Sequence, residues 1–276
     1  MATVYDTSIE LNNVEYAISG IDVGNSRVKI HHDGVSLSFP YDKEWKKNVQ
    51  HHFRDHVDKR YLIGMSSVNP KQSTAIVKVL QRIPGHLVVN IHKLLMGRQD
   101  LLRLGDVENA GLDRLLGAIG ALSSATPPLI TVDCGTAITV NAISADRTFL
   151  GGVIFAGLST QLFGLFKQTS GVPEYQYQEP TTVLGSGTRE AVMAGVTASA
   201  VGGVSQAIAA IRRQYFADAV PHVVVSGGEG SHLMKGLEAN GIAATYNPHI
   251  VTHGAMQLLA EADTIAINDA IIEKIR

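Results

Sequence analysis

Within eight residues, Asp22-Val23-Gly24-Asn25-Ser26-Arg27-Val28-Lys29 sets a carboxylate, a small-residue turn, two polar side chains and a lysine between apolar strands. Polyphosphate binding needs backbone N–H donors, a cation, and carboxylates that hold a metal or its water shell. Gly24 lets the backbone approach a ligand closely, Asn25 and Ser26 add polar groups, and Lys29 adds a point charge. A second turn of this kind, Asp133-Cys134-Gly135-Thr136, lies between the apolar runs 129–132 and 137–143. One Asp-x-Gly turn is an ordinary hairpin device. Two copies about one domain apart, with a glycine pair at Gly227-Gly228 ending another strand, suggest a duplicated phosphate-binding unit. No GxxxxGK[ST] loop occurs, and no GxGxxG follows a strand.

Phosphoryl transfer to an alcohol also needs a carboxylate that orients, and can deprotonate, the attacking hydroxyl. Asp113, in Gly111-Leu112-Asp113-Arg114, stands at the start of a predicted helix, where the helix dipole favours negative charge. Arg114 beside it suits an anionic substrate. Read more plainly, Asp113 is a helix N-terminal carboxylate next to a salt bridge. Cys134, beside the second turn, reads as a small buried residue, because no activating histidine pattern accompanies it. His52 and His56, one helical turn apart, lack a third ligand and read as a solvated helix face.

The elements that must carry these groups alternate between strand and helix. Residues 1–16 read as a polar extension. Strands are expected at 17–22, 27–31, 35–39, 61–67 and 86–90, with helices at 42–57, 72–82 and from Asp113 onward. Pro127-Pro128 is the expected boundary between an N-terminal lobe, 1–126, and a C-terminal lobe, 127–276. The second lobe reads as strands around its turn and at 149–155 and 222–225, with helices at 159–168, 188–213, 231–239 and 252–262 and a tail from 263. The helix over 188–213 is apolar around most of its circumference, which predicts burial against a partner.

Composition excludes several classes. With 276 residues, 45% hydrophobic and 17% charged, the chain can build a substantial core. A net charge of −2 without a basic run argues against a nucleic-acid surface. No apolar run of transmembrane length and no signal-peptide pattern is read, so no membrane role and a cytoplasmic location are expected. The single cysteine precludes an intramolecular disulfide framework.

The ordered set DVGNSRVK, SSVNP, GLDR, DCGTAITV, GGVIFAGL, LGSGT and SGGEG resembles the type III pantothenate kinases, over about residues 21–260. The resemblance implies an α/β fold of two ribonuclease-H-like lobes of the actin/hexokinase (acetate and sugar kinase) type, acting as a homodimer. It implies phosphorylation of pantothenate by ATP to 4′-phosphopantothenate, the first step of coenzyme A synthesis. The implied ions are a divalent cation, Mg2+, and a monovalent one, K+ or NH4+. On the matching positions, Asp22, Val23, Gly24, Asn25, Ser26, Arg27, Val28 and Lys29 would form the first ATP-phosphate segment. Thr136 would contact ATP, and Gly227 and Gly228 would lie on the adenosine side. Asp133 would bind the monovalent cation. Asp113 would be the base, with Gly111, Leu112 and Arg114 contacting pantothenate. Thr188 would reach pantothenate across the dimer interface.

Three positions depart from the family pattern. No tyrosine lies within 91–110, ahead of Gly111, where the family has one; Ala156 replaces a proline; and Asn141 replaces a common aspartate. The alternatives are a kinase of the same fold for another small hydroxy acid or sugar, and a nucleotide-binding regulatory protein without catalysis.

Overall fold

Each Asp-x-Gly turn joins the first two strands of a five-stranded order, and the two orders are the same. The computed structural model describes residues 8–55, 59–216 and 219–272, so His56 lies outside the described residues. Two compact units emerge: one comprises 1–104, 108–124 and 249–276, the other 105–107 and 125–248.

The first unit contains β1 (Ser8–Leu11), β2 (Val14–Val23), β3 (Arg27–His32), β4 (Val35–Pro40), α1 (Trp45–Arg54), β5 (Tyr61–Ser67), α2 (Pro70–Leu80), β6 (Leu87–Asn90), α3 (Ile91–Leu95), the two-residue β7 (Arg103–Leu104) and α4 (Leu112–Leu122). Its sheet runs β4-β3-β2-β5-β6, with β1 on β2. β2–β3 and β3–β4 are antiparallel, whereas β2–β5 and β5–β6 are parallel. Local chemistry sets the hairpins. Asn12 and Asn13 take φ of 53° and 61°, and Asp33 and Gly34 take 47° and 71°, the left-handed pairs that a two-residue hairpin turn requires. Asn69 caps α2 by accepting from Gln72 N at 3.2 Å, with Pro70 at its first position.

The second unit contains β8 (Leu129–Cys134), β9 (Ala137–Ile143), β10 (Thr148–Ala156), α5 (Leu158–Gln168), α6 (Thr188–Tyr215), β11 (His222–Ser226), α7 (Ser231–Ala239) and β12 (Ala244–Tyr246). Its strands run β10-β9-β8-β11-β12, again antiparallel in the hairpins and parallel across β8–β11 and β11–β12. The duplication read from two short turns is therefore a duplication of topology. Among the described residues, α6 alone has the length and apolarity of a membrane span. Its Met193, Val196, Ala200, Val204 and Ile208 are buried in this unit's core, which makes it a core helix.

Four expectations are corrected. The second unit ends at residue 248, not at the C-terminus. Helices α8 (Ile250–Ala260) and α9 (Thr264–Ala270) belong to the first unit. The physical reason is the apolarity of α8, whose residues 250–256, 258 and 259 are buried, so it sits between α4 and the β2 strand rather than on a surface. Residues 8–11 form a strand instead of a loose extension. Helix α3 and strand β12 were not expected. His52 does not lie on a solvated face: its ring packs 4.6 Å from that of the buried His32, and their Nε2 atoms are in contact.

Candidate functional site

In the first unit, β2 delivers Asp22 to the C-terminal end of the sheet, the end at which open α/β sheets bind ligands. Asp22 and Lys29 are register partners and so share a face. Val23 and Val28 are fully buried in the core, which leaves only their backbone groups for a ligand, while Asn25, Ser26 and Arg27 are exposed. Gly24 N donates to Arg27 O at 3.1 Å. Tyr41 fixes the turn from outside: its hydroxyl donates to Gly24 O at 2.9 Å, and its N–H donates to Ser26 O at 3.3 Å. Burial, with Asp22 nearby, pushes the Tyr41 phenol up to about 12, so it remains a donor at ordinary pH. Sequence reading missed Tyr41, because nothing local links it to a turn 17 residues earlier.

Asp113 lies in the first turn of α4, and Gly111 precedes that helix as its N-cap. A Cβ built on Gly111 would sit 2.6 Å from Asp113 Oδ1, so the glycine makes room for the carboxylate. Burial lowers the affinity of the Arg114 guanidinium for its proton, and Asp113 opposes that shift. Glycines hold α4 in place. Cβ atoms built on Gly120 and Gly254 would collide with the carbonyl oxygens of Ile250 and Leu116, so α4 and α8 touch backbone to backbone. On β2, a Cβ on Gly20 would come within 2.5 Å of Thr252 O, so α8 is seated just as closely on the Asp22 strand. Asp113 is thereby tied to the Asp22–Lys29 face through one helix.

Next to that face lies a cluster of three histidines, His31 and His253 buried and His249 half-buried. The ring of His31, on β3, is 5.5 Å from that of His249 and 4.6 Å from that of His253. The His249 and His253 rings are 5.8 Å apart. Burial first, then the neighbouring imidazoles, lowers His31 to about 4 and His253 to about 3; burial and the Lys29 charge also lower His249. In the unfolded chain each takes up a proton near pH 6.5. The folded protein is thus undisturbed by these groups above pH 6.5 and loses stability as pH falls from there toward 4. Each histidine contributes a slope of about 1.4 kcal/mol per pH unit while it stays neutral in the fold. Urea midpoints measured between pH 8 and 5 should fall accordingly, and less steeply in His253→Leu. Equal slopes in the two proteins would contradict this account.

In the second unit, Asp133 is half-buried, Gly135 N donates to Ala137 O at 2.9 Å, and Thr136 is exposed at the turn. Two segments brace that turn. On one side Gly157 N donates to Thr136 O at 3.0 Å, and Thr160 Oγ1 donates to the same oxygen at 2.6 Å. On the other, Glu229 N donates to Cys134 O at 3.0 Å. Gly227, at φ 89°, lies where a side chain would strike the Cys134 backbone. Gly227 and Gly228 are thus brought against the Asp133–Thr136 turn, with Gly228 exposed. Cys134 is buried and free, and burial together with Glu229 and Asp133 raises its thiol, which suits a packing role. Asn141, fully buried, donates to Thr131 Oγ1 at 3.2 Å and Thr139 Oγ1 at 3.3 Å. Thr188 is exposed at the start of α6, on an open groove of about 830 Å³ with Leu165, Val192 and Gly195, and not at the turn.

A type III pantothenate kinase of Sulfurihydrogenibium sp. (strain YO3AOP1) is 28% identical over 190 residues, 67% of this chain and 73% of the relative. That of Petrotoga mobilis (strain DSM 10674 / SJ95) is 28% identical over 252 residues, 85% of this chain and 94% of the relative. Among solved structures, a Campylobacter jejuni protein assigned to the Baf family of transcriptional activators has a TM-score of 0.55 at 18% identity, covering 88% of this chain and 98% of its own. The activator of 2-hydroxyisocaproyl-CoA dehydratase from Clostridium difficile, solved with bound ADPNP, has a TM-score of 0.50 at 10% identity, covering 92% and 95%. These likenesses establish the two-lobed actin-type fold. The type III pantothenate kinase model matches residues 20–210, a stretch that includes both Asp-x-Gly turns and Asp113, and the chain belongs to the type III pantothenate kinase family.

Proposed function

We propose that the chain transfers the γ-phosphoryl group of ATP to the primary hydroxyl of pantothenate, and that Asp113 is the base. Family membership implies the reaction, the first step of coenzyme A synthesis. The observation that carries the residue assignment is Asp113 itself: a carboxylate in the first turn of a helix that packs, through glycines, on the helix seated on the Asp22 strand. Such a fixed acceptor can orient a hydroxyl for in-line attack. Arg114 would pair with the pantothenate carboxylate, beside Gly111 and Leu112. Lys29 and the N–H groups of the Gly24 turn would neutralise charge developing on the phosphates. Thr136 and the Gly227–Gly228 turn would hold ATP in the second unit.

The ion assignments rest on a feature repeated in both sheets. Ser66 stands opposite Asp22 in register, and Ser226 stands opposite Asp133. Each serine hydroxyl is buried with no hydrogen-bond partner. A carboxylate beside a spare hydroxyl is an oxygen donor set for hard cations. Among the described residues no group of three or more His, Cys, Asp or Glu could hold a metal. On that donor chemistry Asp22 with Ser66 would hold magnesium, and Asp133 with Ser226 would hold potassium or ammonium. Magnesium, when bound, supplies charge neutralisation to the transferring phosphoryl group.

The test is ADP release with ATP, magnesium and potassium, with and without pantothenate. Pantothenate-dependent release supports the reading, and an Asp133→Ala variant should lose its response to potassium. Release that follows another hydroxy acid or a sugar, and not pantothenate, would favour the alternative kinase, which the absence of tyrosine from 91–110 keeps in view. The reading includes a cytoplasmic homodimer formed through the groove at Thr188. Exposed Leu165 lines that groove, and Phe163, Val183 and Leu184 of the same unit are exposed as well. Light scattering should give twice the 29.5 kDa chain mass, and Leu165→Asp should give monomer with much reduced turnover. A parent protein that is monomeric and fully active would refute the dimer.

A further inference from the structure

Lys29 shares its side of the first sheet with more than Asp22. Val28 and Ile30 point into the core, so Lys29 and His31, which alternate with them along β3, face the other way. That is the face on which α8 is seated. Gly20, the register partner of His31, is where β2 meets the Thr252 carbonyl. The start of α8 brings His249 to the same face, as the residue at its N-cap. The His249 carbonyl accepts from Thr252 Oγ1 and from His253 N, each at 2.9 Å, which fixes its backbone.

The three imidazoles are not equivalent. His31 and His253 are buried, and His31 Nδ1 shares a 2.5 Å hydrogen bond with Ser36 Oγ. His249 is half-buried, and it is the ring on which the Lys29 charge acts. The other elements around α8 bring few charges. β2 contributes Asp22, and α4 carries Asp113 and Arg114 in its first turn. β4 has no titratable residue, and Tyr61 of β5 lies in the core on the opposite face. His92 and Lys93 belong to α3, which packs at the far end of α8, where Ile91 and Leu259 meet over Gly64.

We propose that His249 is a further phosphate-binding residue, one that takes up a proton from solvent as a polyphosphate anion settles on Lys29. The proposal rests on the reading of the Asp22–Lys29 segment as a phosphate site. In the free protein, burial first and Lys29 second keep this imidazole neutral. A bound anion cancels the second cause and adds an attraction of its own, so the protonated ring is favoured beside it. The imidazolium then offers a charge-assisted N–H donor alongside the Lys29 ammonium. Linkage gives the sign. A group whose proton affinity rises on binding makes binding tighter as pH falls through its titration range, here around and below the ordinary histidine value of 6.5.

The experiment titrates the full-length parent, His249→Gln and Lys29→Ala with inorganic tripolyphosphate, by calorimetry between pH 8 and 5.5. Buffers of low and high ionisation enthalpy count the protons taken up. Glutamine keeps a hydrogen-bonding side chain that cannot ionise, and His249→Asn is a second such replacement should the first melt below the parent. Ionisation of the ligand is common to all the proteins, so the difference between parent and glutamine variant belongs to His249. The parent should take up more protons, and its affinity advantage should grow several-fold as pH falls, with about tenfold as the limit for a one-unit rise in proton affinity. Equal proton counts and a constant affinity ratio, with binding lost in Lys29→Ala, overturn the inference alone. Binding unchanged in Lys29→Ala removes the phosphate reading of that segment, and the inference with it. The expected proton uptake in a chain that phosphorylates no pantothenate supports the inference and removes the kinase reading alone.

Discussion

Asp113→Asn is expected to lower kcat about a thousandfold, within the range by which a positioned general base contributes. The KM for ATP and the unfolding midpoint should stay near those of the parent. Asparagine keeps the shape of the side chain and can still accept a hydrogen bond, and Gly111 leaves room for it at the start of α4. What it loses is the charge and the ability to take a proton. The plainer role, a helix N-terminal carboxylate, makes the opposite forecast. Removing charge near a helix N-terminus costs about 0.3–1 kcal/mol of stability and leaves chemistry untouched. Single-turnover rates and thermal midpoints, measured on the same preparation, separate the two. A variant that turns over at near the parent rate but melts a few degrees lower would end the assignment of Asp113 as the base.

The repeated topology gives that assignment its context. In both units the strand before the turn, β2 or β8, carries an aspartate one residue from its end, a small-residue turn follows, and the strand paired parallel to it places a buried serine opposite the aspartate. The copies differ in what the turn leads into. After Gly24 comes Lys29, on the strand face that it shares with Asp22. After Gly135 comes a turn braced by Gly157, Thr160 and Glu229. One copy is thus cationic, and the other is braced from two sides.

How much of this was legible depends on how local the signal is. The turns were readable because a short carboxylate and a glycine between apolar strands constrain the backbone within four residues. Strand 61–67 and helix 231–239 were placed with the observed bounds, since apolar runs and flanking polar residues mark their ends. The sequence marks α8 as a helix but does not show that it belongs to the first unit. Its period says that it is buried, not against what, and its match to α4 consists of bare backbone at Gly120 and Gly254, which leaves no side-chain pattern. Strand β1 was lost because four residues are too few for a periodic signal, although the Asn12-Asn13 turn beside it was a usable cue. Tyr41, Thr160 and Glu229 owe their roles to partners far along the chain, and only the fold brings those together. The histidine cluster was invisible for the same reason, because β3 and α8 are separated by most of the sequence.

The same hidden contact yields the largest expected effect on stability. Glycine to alanine inside a helix ordinarily gains up to about 1 kcal/mol by raising helix propensity. Gly202→Ala should do so, since nothing beyond its own turns of α6 lies within 4 Å of the added carbon. Gly254→Ala should do the reverse. Its new methyl group would meet the Leu116 carbonyl, and backbone on both sides cannot swing away as a flexible side chain would. Overpacking of this kind costs about 1–3 kcal/mol, and the lost propensity gain adds to the contrast with Gly202. The relief available to the fold is to part α4 from α8. Because α8 is seated on β2 at Gly20, that movement would carry Asp113 away from the Asp22–Lys29 face. Gly254→Ala should therefore melt several degrees below the parent and, at temperatures where it is still folded, show a reduced kcat with pantothenate. Thermal midpoints of the two alanine variants test the packing claim, and kcat at low temperature tests the positioning claim. A Gly254→Ala protein as stable as Gly202→Ala would mean that α4 and α8 do not meet at their glycines, and the route by which the fold fixes Asp113 would have to be drawn elsewhere.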